Sequence, residues 1–528
     1  MIHLTRSILH LSLGFAFAAL WNLPLRAQLT PAQTDALSKL QASQSAPACS
    51  ATDASSCSQA AAKLLPIILG DSPMIENLRR LTDEIGGRVT GTAQMAKAVQ
   101  WGIAGFRAAG VDVHTEKYSL PVTWKEGATR LTVIAPEARR NMPLRIVSEA
   151  WTPAISGNGI EATVVDIGSG TEAEISAAGN LKGSVLLVHT EIGSAWADLF
   201  NEYMRPPAII ARAVKEGAAA ILWTGARERL LLYRHTNSLD GEIDKIPQAV
   251  VAREDALALA RLAAANPGKV RVRLALPNEI GGAVEQENVV GEIRGYEKPD
   301  EVVILGAHLD SWELGTGALD NGCNAALVIE AARAIKAMGV LPKRTLRFVL
   351  FSGEEQGTIG SHQYVKAHTA ELDKIRGVIV FDDGSGRTTG FSLGGRSDTD
   401  APLREILAPL AAWNLNEHTP DASFGTDNFD FMLEGVPTFV ANQEISNYLV
   451  NYHAASDTFD KVDQRELKMN TVIAALAAWG IADRGEPIGK RLTRAELDAA
   501  VKQTGLDEQM KALGYWAQWQ AGTRGRKP

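Results

Sequence analysis

The feature that most limits the possible folds is an alternation of short apolar runs and longer helical patterns over residues 288–384. The runs NVVGEIRG, EVVILGAHLD, TLRFVLFSGEE and GVIVFDD have the length and apolar content of buried strands. The segments NAALVIEAARAIKAMG and SHQYVKAHTAEL carry apolar residues at helical spacing. Strands that alternate with helices predict a largely parallel sheet with helices on both faces. We therefore expect an α/β fold, a three-layer α/β/α sandwich.

Side chains that can bind metal ions stand where these strands end, and ligands of such sheets bind beyond the carboxyl ends of the strands. The residues are His308, Asp310, Glu354, Glu355, Asp382 and Asp383, with Asp320 in the loop GTGALDNG and His453 in NYHAASDTFDKVD. Taken singly, each has an ordinary explanation as a polar pair, a solvated turn or a helix cap. Together they are costly beside apolar strands unless a cation lies between them. The pattern therefore favours a metal site.

Five of these residues form a consistent ligand set for two metal ions: His308, Asp320, Glu355, Asp382 and His453. If Asp320 bridges, each ion receives one His, the shared Asp and one further carboxylate, and keeps an open position as catalytic zinc does. The carboxylates nearly balance the charge of two Zn²⁺, which favours deprotonation of a bound water. We expect two Zn²⁺ as cofactors, and the same ligands also accept cobalt or manganese.

Two further carboxylates are candidates for catalytic roles beside the ligands. Glu354 precedes Glu355 at a strand end, where the chain turns and both side chains can face the site. A carboxylate there would act as the general base and pass the proton to the leaving amine. Asp310 lies two residues from His308 and would accept the ring N–H that does not face the metal.

The motifs VVILGAHLDSW, GALDNG, FSGEEQGTIGS and YHAASDTFDKVD, in that order, resemble the secreted co-catalytic di-zinc exopeptidases. That family includes bacterial leucine-type aminopeptidases and glutamate carboxypeptidases, and the chain looks most like its plasma glutamate carboxypeptidase (carboxypeptidase Q) branch over residues 70–480. The resemblance implies a flavodoxin-like or phosphorylase-like core, a tendency to form homodimers, and Glu354 as the base. It implies two metal sites that share one residue: His308, Asp320 and Asp382, and Asp320, Glu355 and His453.

The resemblance leaves two assignments open: the ligand at the third metal strand and the substrate-binding loop. Relatives have Glu-Ser-Asp or a similar triplet at the third metal strand, where this chain has Val380, Phe381 and Asp382 followed by Asp383. The spacing to the following glycines favours Asp382, with Asp383 as the alternative. The loop SFGTDNFDF places Gly425, Thr426 and Asp427 where relatives bind substrate, although a glycine turn with a helix cap has the same pattern.

The remaining segments differ from residues 288–384 in their secondary-structure pattern, and these differences predict the domain organisation. Residues 141–284 contain short β runs such as SVLLVHT and AAAILWT with few helices, which indicates a β-rich insert. By resemblance this insert is a protease-associated domain. The catalytic domain would then comprise residues 61–140 and 285–485. Residues 486–528 form a helical tail, in which Thr493 and Glu496 fit a capping box, and the tail packs on the core or forms an oligomer contact.

The N-terminus has the pattern of an export signal. Residues 1–27 combine a basic Arg6 with a short apolar run, which indicates a signal peptide, with an uncleaved anchor as the alternative. Residues 28–60 are rich in Ala, Ser and Gln and predict a linker or extension. We therefore expect a secreted or periplasmic protein without stable membrane insertion. Cys49 and Cys57 could pair in that compartment, and Cys323 would be a packing residue.

The composition excludes some classes of function. A net charge of −8 provides no general attraction for polyanions, which argues against a nucleic acid partner. Three cysteines cannot form a Cys-rich zinc module. We predict an exopeptidase that hydrolyses dipeptides or short peptides at a free terminus, like a carboxypeptidase or dipeptidase, or alternatively an aminopeptidase. A glutaminyl-cyclase-like transferase, a non-catalytic receptor-type module and a carbohydrate binder are the rival functions.

Overall fold

The computed structural model describes residues 53–528. The predicted signal peptide, most of the predicted linker and Cys49 lie outside these residues, so the pairing of Cys49 with Cys57 stays a prediction. Residues 53–60 of the predicted linker belong to the first described helix, whose Leu64 and Ile68 are fully buried. Among the described helices, none is long and apolar enough to cross a bilayer.

The elements are numbered along the described chain. The strands are β1 (Asp112–Leu120), β2 (Trp124–Lys125), β3 (Arg130–Ala135), β4 (Met142–Leu144), β5 (Ile146–Ser148), β6 (Ile155–Asp166), β7 (Val185–Val188), β8 (Ala220–Thr224), β9 (Gln248–Val251), β10 (Arg271–Leu276), β11 (Glu279–Ile280), β12 (Val284–Ile293), β13 (Lys298–His308), β14 (Arg344–Phe351), β15 (Ile375–Val380), β16 (Thr388–Ser392) and β17 (Thr438–Gln443). The α-helices are α1 (Asp53–Leu69), α2 (Met74–Arg79), α3 (Ala93–Ala108), α4 (Glu172–Ala177), α5 (Trp196–Met204), α6 (Pro206–Glu216), α7 (Arg253–Ala265), α8 (Cys323–Ala337), α9 (Ile359–Ala367), α10 (Asp400–Leu407), α11 (Phe429–Leu433), α12 (Tyr448–Asn451), α13 (Gln464–Asp483), α14 (Arg494–Gln503), α15 (Leu506–Ala512) and α16 (Trp516–Ala521). Short 3-10 or π turns span Arg80–Ile85, Glu137–Arg139, Ala318–Gly322, Thr369–Lys374, Ala408–Trp413 and Phe459–Lys461.

Seven strands form the first sheet, in the order β1-β12-β14-β13-β15-β17-β16. The four strands β14, β13, β15 and β17 are parallel, as the alternation of strands and helices predicts. The outer strands are antiparallel, so the sheet is mixed rather than largely parallel. The reason is visible between Ile293 and Lys298, where the connection from β12 to β13 is too short for a helical crossover and the chain direction reverses.

Helices cover both faces of this sheet, which confirms the α/β class. Successive residues of β13 point to opposite faces. Val303 and Leu305 pack in the core that contains α1, α8 and α13, whereas Val302 and Ile304 pack in the core that contains residues of α9 and α11. Each central strand is therefore buried on both sides, and only its end is open to a ligand.

The second sheet has eight strands in the order β4-β3-β10-β6-β7-β8-β9-β5. Its first strand in the chain, β3, starts at Arg130, ahead of the predicted start of the insert at residue 141, because β3 pairs with β10. The strands β6 to β9 are parallel to one another; α4 lies between β6 and β7, and α5 and α6 lie between β7 and β8. The other domain boundaries, and the description of this insert as a protease-associated domain, stay predictions.

The C-terminal tail consists of α14, α15 and α16. Thr493 and Glu496 form the predicted capping box at the start of α14: each side chain accepts a hydrogen bond from the other residue's backbone N–H. Apolar tail residues are buried against residues 422–433 of the catalytic domain. The tail therefore packs on the core of its own chain, one of the two outcomes expected from the sequence.

Candidate metal centre

The parallel strands bring the predicted ligands to one edge of the first sheet. His308 is the last residue of β13 and lies opposite Phe351, the last residue of β14. Glu354 and Glu355 follow β14 in the turn that leads to α9, and Asp382 follows β15. Because these strands run in the same direction, their ends meet, and residues far apart in the chain become neighbours.

Four short contacts join the five predicted ligands. His308 Nε2 lies 2.9 Å from Asp382 Oδ1 and 3.2 Å from Asp320 Oδ1. His453 Nε2 lies 2.9 Å from Glu355 Oε2 and 3.3 Å from Asp320 Oδ2. Asp320 thus lies between the two imidazoles with one carboxylate oxygen toward each. All five residues are buried, and their contacts divide them into the two groups that the resemblance implies.

Hydrogen bonds on the far side of each ring leave Nε2 directed at the carboxylates. His308 Nδ1 lies 3.1 Å from the carbonyl oxygen of Asp310, and His453 Nδ1 lies 3.1 Å from the carbonyl oxygen of Arg234. A carbonyl oxygen only accepts, so Nδ1 carries the proton in both rings. In the neutral tautomer, each Nε2 then presents a lone pair to carboxylate oxygens, an arrangement that a bound cation stabilises.

The carboxylates also fit a cation. Asp320 Oδ2, Glu355 Oε1 and Asp382 Oδ1 are buried and accept no hydrogen bond among the described residues, because the Nε2 atoms beside Asp320 and Asp382 carry no proton in this tautomer. Burial raises the pKa of Glu355 to about 7, and burial also raises the pKa of Asp382. Buried carboxylates without partners are costly, and a His and carboxylate donor set suits zinc and related divalent ions. The residues present therefore fit divalent cations.

Asp310 has a different set of contacts from the one expected. The ring N–H of His308 goes to the main-chain carbonyl of Asp310, while the nearest carboxylate oxygen is 3.6 Å from Nδ1. The carboxylate instead accepts the backbone N–H groups of Glu354 at 3.4 Å and Glu355 at 3.3 Å, and the hydroxyl of Thr90 at 3.1 Å. Asp310 therefore holds the turn that carries Glu354 and Glu355.

The structure distinguishes the two candidates at the end of β15. The carboxylate of Asp382 faces His308, whereas Asp383 is hydrogen-bonded through its backbone N–H to Gln443. Burial raises the pKa of Asp383 well above its usual range. These contacts favour Asp382 as the ligand.

Asp457 is a buried carboxylate to which the sequence assigned no role. It accepts the backbone N–H groups of Ala318, Leu319 and Asp320 at 3.1, 2.7 and 3.1 Å. Three hydrogen bonds to one carboxylate hold the loop that presents Asp320. Asp457 could have been found from the sequence, because it lies four residues after His453 in YHAASDTFDKVD, one of the motifs that carry the family resemblance.

A cavity of about 620 Å³ opens in front of the ligands. Glu354, half-buried, lines this cavity beside the metal ligands. Gly425 and Thr426 of the predicted substrate loop also line it, while Asp427 is fully buried behind them, and burial raises its pKa to about 8. The arrangement favours Gly425 and Thr426 over Asp427 as substrate contacts.

The insert forms one wall of the cavity, although its sequence contains no visible catalytic cluster. Five residues of α5 line that wall: Trp196, Leu199, Phe200, Tyr203 and Met204. The Tyr203 hydroxyl lies 2.6 Å from the hydroxyl of Tyr452, whose ring stacks on His453 at 3.7 Å. The Arg234 N–H donates to the His453 carbonyl oxygen at 2.9 Å, so the insert holds His453 through both its main chain and its ring.

Comparison with known proteins agrees with this geometry. Residues 288–478 match Peptidase family M28. Carboxypeptidase Q of Rattus norvegicus is 30% identical over 415 residues, which cover 78% of this chain and 85% of the rat protein. The crystal structure of a peptidase M28 precursor from Shewanella amazonensis has a TM-score of 0.73 at 26% identity and covers 84% of this chain and 99% of that one.

A zinc aminopeptidase from Bacillus subtilis shares the fold, with a TM-score of 0.61 at 18% identity over 80% of this chain and 97% of that one. The alignment with the rat relative covers most of both sequences, and the buried His and carboxylate cluster fits divalent cations. The chain therefore belongs to peptidase family M28 and is a metallopeptidase, a hydrolase of peptide bonds.

Proposed function

We propose that the chain is an exported metallo-exopeptidase that hydrolyses dipeptides or short peptides and recognises their free amino end. The observation that carries this proposal is the paired ligand cluster in a cavity whose lining is acidic and apolar. The proposed ligands are His308, Asp320 and Asp382 for one ion and Asp320, Glu355 and His453 for the other. Two bound zinc ions would polarise the scissile carbonyl and lower the pKa of water.

Glu354 is the proposed general base. It lies in the cavity beside the ligands, and Asp310 holds its backbone. Its carboxylate accepts a proton from the attacking water as the water oxygen bonds to the carbonyl carbon. It then donates that proton to the departing amine as the C–N bond breaks. Burial raises the pKa of Glu354 well above its usual range, so its carboxylate binds a proton more readily than that of an exposed glutamate.

The charge of the cavity indicates which peptide end is bound. Among the described residues that line the cavity, none is Lys or Arg. Besides Glu354 and the proposed ligands, Glu417 and Asp421 line it, together with Asp383, whose pKa is raised by burial, and Glu444, which pairs with Arg387. Such a lining attracts an ammonium group and repels a carboxylate. The α-amino group of the substrate is therefore the favoured end, and the apolar side chains of α5 provide a surface for its neighbouring side chain.

A panel of four dipeptides tests this proposal: Leu-Leu with free ends, its N-acetyl form, its C-terminal amide, and the doubly blocked form. We expect cleavage of the free and amidated peptides and at least a hundredfold slower cleavage of both acetylated forms. Loss of cleavage on amidation, with retention on acetylation, would contradict the assignment and indicate a carboxypeptidase. Export is tested separately, by sequencing the N-terminus of the protein recovered outside the cytoplasm.

A further inference from the structure

The C-terminal tail, residues 486–528, follows the segment that matches the peptidase family and takes no part in the proposed chemistry. It nevertheless reaches two segments that line the cavity. One is the loop 423–428, between β16 and α11, and the other contains Leu239, in the connection between β8 and β9 of the insert. The two segments lie far apart in the sequence, and the tail contacts both of them.

The first contact holds the loop 423–428. The backbone N–H of Phe424 donates to Gln509 Oε1 at 3.1 Å, and the Phe424 ring lies 5.2 Å from the ring of Tyr515. The next residue, Gly425, has φ 143° and no heavy atom within 4 Å of where a Cβ would be. Such a glycine leaves the loop free to move unless a neighbour holds it. Gln509 supplies that restraint one residue before Gly425.

The second contact holds the insert. The Tyr515 hydroxyl donates to the carbonyl oxygen of Leu239 at 2.8 Å. This oxygen also lies against Gly357, where a Cβ would stand only 2.1 Å away. Gly357 lines the cavity and directly follows the turn that carries Glu354 and Glu355. Tyr515 thus holds the insert at a point where it contacts the end of the turn that carries Glu354 and Glu355.

A buried ion pair anchors the tail beside these contacts. Arg524 donates to both carboxylate oxygens of Asp430 at 2.8 and 2.7 Å, and both side chains are buried. The Arg524 guanidinium also lies 4.3 Å from the centre of the Tyr515 ring. Asp430 belongs to α11, directly after the loop, so the ion pair sets the position of Tyr515 relative to that loop.

We propose that the tail fixes the positions of two segments that line the substrate cavity, at Leu239 and at Phe424, with Gln509 and Tyr515 as positioning residues for substrate binding. The proposal rests on the peptidase function proposed above. It predicts an effect on substrate affinity rather than on the chemical step, because neither residue lines the cavity that holds the proposed ligands and Glu354.

The test uses the full chain with Gln509→Ala, Tyr515→Phe and the double variant. Gln509→Glu keeps an acceptor oxygen and serves as the conservative rescue, and Gln503→Ala, at an exposed position of α14, is the matched control. KM and kcat are measured with the free dipeptide, and hydrogen–deuterium exchange is measured over residues 237–241 and 421–431. Zinc content is measured for every variant.

We expect each single variant to raise KM roughly three- to tenfold, the effect of one neutral hydrogen bond. We expect kcat within twofold, unchanged zinc content and faster exchange in the segment that has lost its contact. Unchanged exchange would show that the tail does not hold these segments. Faster exchange with unchanged KM would show that this restraint has no role in substrate binding. An equal effect of Gln503→Ala also overturns the proposal. Hydrogen–deuterium exchange needs no substrate. If the wild-type chain cleaves no dipeptide, the proposed function is refuted, while the exchange data still show whether the tail holds the two segments.

Discussion

Replacement of Asp310 by Asn tests how the catalytic turn is held. The carboxylate accepts two backbone N–H groups, from Glu354 at 3.4 Å and Glu355 at 3.3 Å. Asn keeps one acceptor oxygen but turns its NH₂ group toward the other N–H. Loss of one hydrogen bond to a charged group costs about 1.5–3 kcal/mol. Because both distances are long, we expect the lower end, about 1.5 kcal/mol, which corresponds to roughly a tenfold loss.

The assay is kcat/KM for the free dipeptide together with zinc affinity by competition with a chelator. We expect both to fall roughly tenfold, within the range known for groups that orient metal ligands. Asp463→Asn is the matched control, since Asp463 Oδ1 also accepts two backbone N–H groups, from Arg465 and Glu466, at the start of α13. Wild-type values for Asp310→Asn, or an equal loss for Asp463→Asn, would refute the reasoning.

Glu354→Gln should keep bound zinc and reduce kcat by about 10²–10⁴; wild-type turnover would show that another group is the base. Asp320→Ala should weaken binding of both metal ions and Asp382→Ala of only one, as followed by metal titration; equal losses would contradict the sharing of Asp320. Burial raises the pKa of Glu149 from its ordinary value of 4.5 to about 8. The folded state then binds more protons than the unfolded state between these values, so wild-type stability falls as pH rises. The melting temperature of Glu149→Gln relative to wild type should therefore increase from pH 5 to 8, and a pH-independent difference would be inconsistent with this.

The central part of the fold and the candidate ligands could be predicted from the sequence because both depend on local pattern. The apolar runs before His308, Glu354 and Asp382 identify buried strands, and parallel strands present their ends at a common edge. Asp320 and His453 lie on loops and were found through motif order. The antiparallel outer strands were missed because the alternation of strands and helices describes only strands joined by crossovers.

Contacts between distant segments could not be predicted. The carbonyl oxygen of Arg234 that accepts from the ring of His453 is a main-chain group, which any residue would supply, so the sequence contains no sign of it. The same is true of the Phe424 N–H that donates to Gln509. Such contacts depend on how the insert and the tail pack against the first sheet.

The account's central claim is that five side chains from separate parts of the chain bind two metal ions in one cavity. Anomalous diffraction from crystals grown with zinc tests it most directly. We expect two zinc peaks, one bound by His308, Asp320 and Asp382 and the other by Asp320, Glu355 and His453. A single peak, or peaks that do not contact both His308 and His453, would contradict the claim.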